Sequence, residues 1–218
     1  VRSPDAPIFG IDVSLQKART AMFFSSMIAA QQLLGNPDPD VSMYVNALRT
    51  FLGDPNVLTG QFAFTDRANG NLSRPYFADG EVGRPHGPLS RPIQEFNPFS
   101  TGLQSALVEQ NIRQHAAFIL GAGADTPPRC TQTPDVVPGQ NPLENGIQIF
   151  PGSVPIYRGS QLVGAIGVSG DGIDQDDMIG FLGLHNGGLR VGGIGNADPA
   201  IRADQIVVDL GNGRVRLR

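Results

Sequence analysis

The sequence predicts a mixed α/β (α+β) fold, and two observations carry this prediction. The first is a β-hairpin: two short apolar runs, 154–157 and 162–168, flank the polar tetrad 158–161, which holds a glycine where a tight reversal needs one. The second is helical periodicity, because apolar residues recur every three or four positions in several other stretches. The central unit is therefore a strand, a turn, a strand, a glycine loop and a helix.

Two glycines interrupt the second strand of this hairpin. Gly164 and Gly167 leave one face of the strand nearly bare, so we expect close packing there, by a helix or alternatively by a ligand. The strand leads through Ser169, Gly170 and Asp171 into a helix whose first turn is acidic, as helix N-termini favour.

His185 lies where this last helix is expected to end, at the glycine stop 185–188. A histidine in a last turn interacts well with the helix C-terminus, which is the favoured interpretation. Ligation of a metal or of haem iron is the alternative.

The first predicted helix can be capped by Asp12 or Ser14 and stops at 35–37. Lys17 and Arg19 lie off its apolar stripe near the start, where solvated surface and contact with an anion or ligand both stay open. The stripe consists of Leu15, Ala18, Ala21, Met22, Phe24 or Ser25, Ile28 and Ala29.

Two further helices are predicted, at 40–52 and 101–120. The shorter one has an apolar side of Val41, Tyr44, Val45, Leu48 and Leu52. The longer one, capped by Ser100, has a buried line of Leu103, Leu107, Ile112, Ala116 and Ile119.

Long connections separate these elements. Residues 53–99 show no sustained period beyond a short strand at 62–64, and a loop of this length indicates either a function or contact with a neighbour. Its aromatic residues suggest that it is pinned to an apolar surface, and a second proline-rich loop covers 121–146. The aromatic residues of the first loop are Tyr76, Phe77, Phe96 and Phe99.

A second hairpin is predicted at 205–218 with Asn-Gly at its turn and exposed arginines at its end.

Composition excludes several classes of protein. The net charge is −4 and Lys17 is the single lysine, which argues against a nucleic-acid surface. No apolar run approaches the roughly 20 residues that a transmembrane helix needs. The single cysteine, Cys130, excludes an internal disulfide and a cysteine-based metal cluster. Scarce lysine and abundant loops favour a periplasmic or secreted location.

Two stretches carry a family resemblance. VSLQKARTAMFF (13–24) and GSVPIYRGSQLVGAIGVSGDGIDQDD (152–177) resemble the signature blocks of the GlcG/HbpS-like family, described as haem-binding or haem-degrading. There the blocks read roughly as a KARTA helix and as a hairpin followed by G-A-[IV]-G-V-S-G and an acidic helix start. The resemblance implies a profilin-like fold, an antiparallel sheet flanked by helices, usually assembled into oligomers.

The chain departs from the family pattern in its organisation. In the family, a helix and a pair of strands ordinarily precede the KARTA helix. Val1 looks like a cut end, so we expect that this first part is missing here. A separate chain could supply the missing strands, or they could be absent. The prediction is one GlcG/HbpS-like domain over 1–218. Its core blocks are at about 8–34 and 147–190, its loop-rich insertion at about 35–146 and its C-terminal extension at 191–218.

The resemblance implies a haem- or tetrapyrrole-binding module, non-catalytic or accessory. The glycine loop leads into a helix N-terminus whose free N–H groups could hold a carboxylate such as a haem propionate, and basic residues of the first block could add charge-assisted hydrogen bonds. No catalytic residue and no metal ligand set is assigned. The candidate cofactor-binding residues are Lys17, Arg19, Gly167, Ser169, Gly170, Asp171 and His185.

Two alternatives stay open. One is a structural or assembly domain that clasps partner subunits with its long loops, consistent with an expected homo-oligomer. The other is a subunit of an enzyme acting on a small acid, although no Gly-x-Ser-x-Gly elbow, phosphate-binding Walker loop or paired-histidine motif occurs.

Overall fold

The computed structural model describes residues 1–7, 10–77, 82–90, 113–125 and 146–217. Helices and antiparallel strands mix within them, which confirms the α+β fold class. The helices are α1 (Gly10–Phe24), α2 (Ala29–Leu34), α3 (Pro39–Leu52), α4 (Asp66–Leu72), α5 (described over 113–119) and α6 (Ile173–Val191). The strands are β1 (Ser153–Arg158), β2 (Gln161–Gly167), β3 (Val207–Asp209) and β4 (Arg214–Arg216), with 3₁₀ turns at Pro199–Ile201 and Ala203–Gln205.

Both predicted hairpins are confirmed. In the first, Arg158 pairs with Gln161, and Gly159 takes a left-handed φ of 59° in the two-residue turn. In the second, β3 pairs with β4 and the positive φ falls on Gly211. The hairpins form two separate two-stranded sheets within the described residues. The profilin-like sheet that the resemblance implies stays a prediction.

Helix α1 packs directly against the first hairpin. A Cβ on Gly167 would lie 2.0 Å from the Ser14 carbonyl oxygen and 2.7 Å from the Ala18 nitrogen, so only glycine allows this approach. Gly164, by contrast, faces open space. The prediction that a helix packs on the bare strand is therefore confirmed at Gly167.

The predicted stripe of α1 is partly wrong. The helix ends at Phe24, and α2 follows as a separate helix instead of continuing it. Leu15 is 57 % exposed, whereas Lys17 is only 3 % exposed. The close approach at Gly167 fixes which side of α1 faces β2, and this backbone contact outweighs the side-chain pattern.

Helix α3 agrees with the sequence. Asp38 caps it by accepting a hydrogen bond from the Asp40 N–H, and Gly53 ends it with φ 67°. Its predicted apolar side is buried except for Leu52, which is partly buried.

Helix α4 corrects the prediction of a structureless stretch at 53–99. Thr65 caps it by accepting a hydrogen bond from the Ala68 N–H. Its residues other than Arg67 are buried. The helix therefore lacks an exposed polar face, and its sequence does not alternate between polar and apolar residues with a helical period. A Cβ on Gly70 would lie 2.4 Å from the Ile149 carbonyl oxygen, so this helix also depends on a glycine contact.

The main hydrophobic core joins the first helices to the predicted insertion and to the C-terminal hairpin. Phe77 is fully buried and meets Phe51 edge to face, with 5.0 Å between ring centroids. Phe77 thus confirms that the long connection is pinned, whereas Phe96, Phe99 and Cys130 lie outside the described residues. The core members include Phe23, Phe24, Leu33, Val41, Val45, Leu48, Phe64, Leu72, Ile147, Val208 and Leu217.

Helix α5 is described over residues 113–119. That part is helical as predicted, but Ala116 is exposed and Ile119 is 69 % exposed. The buried line is therefore wrong over 113–119, since periodicity identifies an apolar face without identifying what covers it.

Helix α6 is longer than predicted and ends at Val191. It continues through Gly187 and Gly188, and its C-cap is Gly192 with φ 71°. Gly188 does not end the helix; it allows a close contact with the following segment, because a Cβ there would lie 2.4 Å from the Ile194 carbonyl oxygen. His185 therefore lies before the last turn, which corrects its predicted place at the helix end. None of the helices in the described residues is long and apolar enough to cross a membrane.

Candidate functional site

Lys17 belongs to a buried ion pair. Its Nζ donates to Asp176 Oδ2 and to the Val168 carbonyl oxygen, both at 2.9 Å, and both charged side chains are 3 % exposed. A Cβ on Gly152 would lie 2.8 Å from this Nζ, so glycine provides the room for it. Lys17 thus joins α1, the end of the first hairpin and α6.

Asp66 lies buried on α4 beside this pair. Its Oδ1 accepts hydrogen bonds from the backbone N–H groups of Ser153 and Arg67, both at 3.0 Å. Its Oδ2 has no hydrogen-bond partner within the described structure. Burial raises the pKa of Asp66 to about 8, helped by the negative charge of Asp177 and opposed by the Ser153 hydrogen bonds and by Lys17. The carboxyl group is therefore mostly protonated at neutral pH.

Arg67 points the other way and ties α4 to the start of α6. Its guanidinium contacts Asp174 Oδ1 at 2.5 Å and also pairs with Asp177 Oδ2. Asp177 Oδ1 in turn accepts a hydrogen bond from the Gly152 N–H at 2.6 Å. Desolvation lowers the pKa of Arg67, but its two aspartate partners outweigh it and hold that pKa above its usual value.

A cleft opens next to Arg67, and we call it the main cleft. Its volume is about 430 Å³, and most of its wall is apolar. One side is α6, the floor is β1, and the far side is the segment 196–204. The lining residues are Ala63, Thr65, Arg67, Val154, Pro155, Asp177, Met178, Phe181, Asn196, Ala197, Arg202, Ala203 and Asp204.

Backbone hydrogen bonds hold the far side of the main cleft in place. Tyr157 and Gly195 exchange two N–H to carbonyl bonds of 2.9 Å, which adds residue 195 to the edge of β1. Ala63 donates to the Ile201 carbonyl oxygen at 2.7 Å and accepts from the Ala203 N–H at 3.0 Å. The segment that closes the cleft is thus fixed at both ends.

Arg202 lies at the rim of the main cleft. Its Nε donates to the Ala197 carbonyl oxygen at 2.9 Å, and its guanidinium carbon lies 5.5 Å from the centroid of the Phe181 ring. The cation is therefore held over an aromatic face.

A second recess of about 340 Å³ adjoins the main cleft, and we call it the His185 recess. It shares Phe181, Asn196, Ala197 and Arg202 with the main cleft. His185 follows Phe181 by four residues on α6, so both project from the same side of the helix. An imidazole thus lies within one helical turn of the aromatic ring.

The predicted site residues fall into two places. Gly167, Ser169, Gly170 and Asp171 lie around the loop before α6, together with Lys17. Arg19 donates to the Gly146 carbonyl oxygen at 3.1 Å. His185 lies about 18 Å further along α6, since 12 residues separate it from the first helical residue and each adds about 1.5 Å. The loop group and His185 therefore do not form one site.

Sequence reasoning missed the residues that shape the main cleft. Arg67 lies in a stretch predicted to be loop, and Arg202 lies in the C-terminal extension with no motif around it. The spacing of Met178, Phe181 and His185 is the one sequence signal that could have indicated the cleft wall, because these positions share a helical face.

A family model described as "Haem degrading protein HbpS-like" matches residues 99–184. Those residues are similar to the HbpS-like family over somewhat less than half of the chain. The match covers the first hairpin, the glycine loop and α6 as far as Leu184, so it includes one side and the floor of the main cleft. It confirms the resemblance predicted from sequence, although the first block at 13–24 lies outside it. Neither a search of curated proteins nor a search of solved structures returned a match.

Proposed function

We propose that this HbpS-like chain binds haem or a related tetrapyrrole as an accessory, non-catalytic module, and that the main cleft holds the ligand. One observation carries the proposal: an apolar cleft lies beside an arginine at its rim and a histidine in the adjoining recess. The family model supports a haem-related role, and the main cleft is where the described residues provide matching chemistry.

The cleft suits a planar apolar ligand in size and surface. Binding sites for small molecules typically enclose about 300–1,000 Å³ with mostly hydrophobic walls and a few polar groups. Met178 and Phe181 supply a thioether and an aromatic face from α6, and Pro155 faces them from β1. Because α6 leaves these side chains partly exposed, a ligand could cover them without any rearrangement of the helix.

The polar groups match a carboxylate-bearing tetrapyrrole with a metal at its centre. Arg202 could donate to a propionate, and His185 or Met178 could hold the iron, since histidine and methionine are both haem ligands in proteins. When bound, haem would supply a redox-active iron. The chain's own contribution would be to bind the macrocycle, orient it and exclude water from one of its faces.

A second hypothesis places the propionate at the loop before α6. Ser169, Gly170 and Asp171 precede a helix N-terminus, but Asp174 and Asp176 already occupy its first turn. Lys17 could reach a ligand there only by leaving Asp176, because both side chains are buried against each other. The main cleft requires no such exchange, which is why we favour it.

Titration with haemin tests the proposal. We expect a shifted Soret band that saturates near one haemin per chain, and His185→Ala should weaken binding or change the spectrum. His86→Ala is the matched control, because His86 is exposed and lies outside both recesses. An unchanged haemin spectrum at stoichiometric protein would overturn the proposal.

A second candidate function is subunit assembly, which the surface of α6 favours. Along its 19 residues the buried positions are Asp176, Gly180 and Leu184, a narrow stripe at four-residue spacing. Much of the rest is apolar yet exposed, including Ile179 and Leu182, which do not line the main cleft. Unpartnered apolar surface of this kind often marks a contact with another subunit.

Light scattering coupled to size exclusion tests assembly. If α6 packs against another copy, Ile179→Glu should reduce the molar mass, because a charge would be buried at the contact. Met43→Glu on the exposed side of α3 is the control. A monomer for the unaltered protein, or an unchanged oligomer for Ile179→Glu, would count against this second function.

A further inference from the structure

We infer that Arg202 makes the main cleft selective for ligands that carry a free carboxylate, so that an acidic tetrapyrrole binds while its neutral ester binds poorly. This inference rests on the proposed function and goes further, because it assigns a specificity-determining residue and the chemical group that it recognises.

Arg202 is held in position before any ligand arrives. Its Nε is bonded to the Ala197 carbonyl oxygen, and its guanidinium lies over the Phe181 ring. The neighbouring backbone is fixed as well, because Ala63 pairs with both Ile201 and Ala203. A cation that is already oriented loses little freedom on binding, which favours affinity.

The remaining donors of Arg202 are available. Among the described residues, neither of its Nη atoms has a hydrogen-bond partner, and Nε is the nitrogen that is used. Two adjacent N–H donors on a rigid plane match the two oxygens of a carboxylate, a geometry that lysine cannot reproduce. A carboxylate is therefore the group that best pairs with the two Nη donors of Arg202.

The other arginine of the main cleft is already compensated. Arg67 is paired with Asp174 and Asp177, so it offers no unbalanced charge to a ligand. Asp204 also lines the cleft, and its Oδ1 accepts a hydrogen bond from the Gln205 side chain rather than from Arg202. Arg202 is thus the cation in the described part of the cleft that lacks a carboxylate partner.

The position of Arg202 links this charge to the apolar ligand body. It lines both the main cleft and the His185 recess, with Phe181 beneath it. A planar ligand lying against Met178 and Pro155 would reach Arg202 with a substituent at its edge. An acidic side chain on a macrocycle meets this requirement, and an esterified side chain does not.

The test compares haemin with haemin dimethyl ester, both delivered from dimethyl sulfoxide, by absorbance titration of the unaltered protein. Charge-assisted hydrogen bonds contribute enough that haemin should bind about 10- to 100-fold more tightly than the ester. Arg202→Gln should remove most of this preference by weakening haemin alone, and Arg202→Lys should restore it only in part. Arg158→Gln, at the exposed turn of the first hairpin, should leave both affinities unchanged.

The outcomes separate this inference from the function on which it rests. If neither compound binds, the proposed function fails. If both bind the unaltered protein equally well, haem binding stands and the role of Arg202 is refuted. The comparison of two ligands on the unaltered protein does not depend on any variant folding. An equal loss of both affinities in Arg202→Gln would indicate a structural role instead, and it would also refute the inference.

Discussion

Replacing Asp66 with asparagine should remove a large pH dependence from the stability of the protein. In the folded chain the buried carboxyl group has its pKa raised to about 8, from an ordinary value of 3.8. Between these values the folded state holds a proton that the unfolded state has released. Folding therefore becomes less favourable as the pH rises, by up to about 1.4 kcal/mol per pH unit, and the loss levels off above about pH 8.

The geometry at Asp66 explains why asparagine should fit. The side chain keeps one oxygen to accept from the Ser153 and Arg67 N–H groups, and it carries no charge at any pH. Summed from pH 3.8 to pH 8, the ionisable carboxyl group costs about 5 kcal/mol at pH 8. The NH₂ group of asparagine would take the place of Oδ2, which has no partner among the described residues, and burying it offsets about 1–3 kcal/mol of this. We therefore expect Asp66→Asn to be more stable than the unaltered protein by roughly 2–4 kcal/mol at pH 8, and by much less at pH 5.

Urea unfolding followed by circular dichroism at pH 5, 6.5, 8 and 9 measures this difference. Other titrating groups are common to both proteins, so the difference between the two free energies isolates Asp66. Asp12→Asn, in the exposed first turn of α1, is the matched control and should leave the pH slope unchanged. Parallel pH profiles for Asp66→Asn and the unaltered protein, or a variant that is less stable at pH 8, would refute the reasoning.

Three further predictions concern the packing around the site. Gly167→Ala should destabilise the protein by about 2 kcal/mol or more because its methyl group would overlap the α1 backbone, while Gly164→Ala, facing open space, should change the urea midpoint little. Lys17→Met should cost about 3–5 kcal/mol by leaving Asp176 buried and unpaired, and adding Asp176→Leu should recover much of this; a double-mutant cycle without coupling would contradict the pairing. Phe77→Ala should cost about 3–5 kcal/mol in the same assay, and a loss below 1 kcal/mol would mean that the long connection is not part of the core.

The hairpins were predictable because their signals are local. A reversal between two apolar runs depends on a few adjacent residues, and Gly159 and Gly211 take the left-handed conformations that such turns need. Helix ends were less predictable: Gly188 looks like a stop in sequence, but its lack of a side chain serves the contact with Ile194 and the helix continues. Helix α4 was missed because almost all of it is buried and it has no polar face.

The candidate site was much harder to predict. Its wall draws on α6, whose exposed side chains follow a helical period, but also on Arg67 and Arg202, which chain folding brings to the same cleft from distant positions. The cleft depends on two sets of backbone hydrogen bonds, at Tyr157 and at Ala63. Backbone groups form such bonds whatever the side chains are, so the sequence carries no motif for them. Likewise, a sequence cannot show that its single lysine is buried, because the partner Asp176 lies 159 positions away.

Methyl NMR of the four methionines tests most directly whether the main cleft holds a tetrapyrrole. Met22, Met27, Met43 and Met178 are all partly exposed, but Met178 is the one that lines the cleft. With ¹³C-methyl methionine and gallium protoporphyrin IX, a diamagnetic analogue of haem, the ring current should shift the Met178 methyl resonance, assigned by Met178→Leu, and leave the other three nearly unmoved. A stoichiometric complex in which Met178 keeps its free-protein shift would contradict the account.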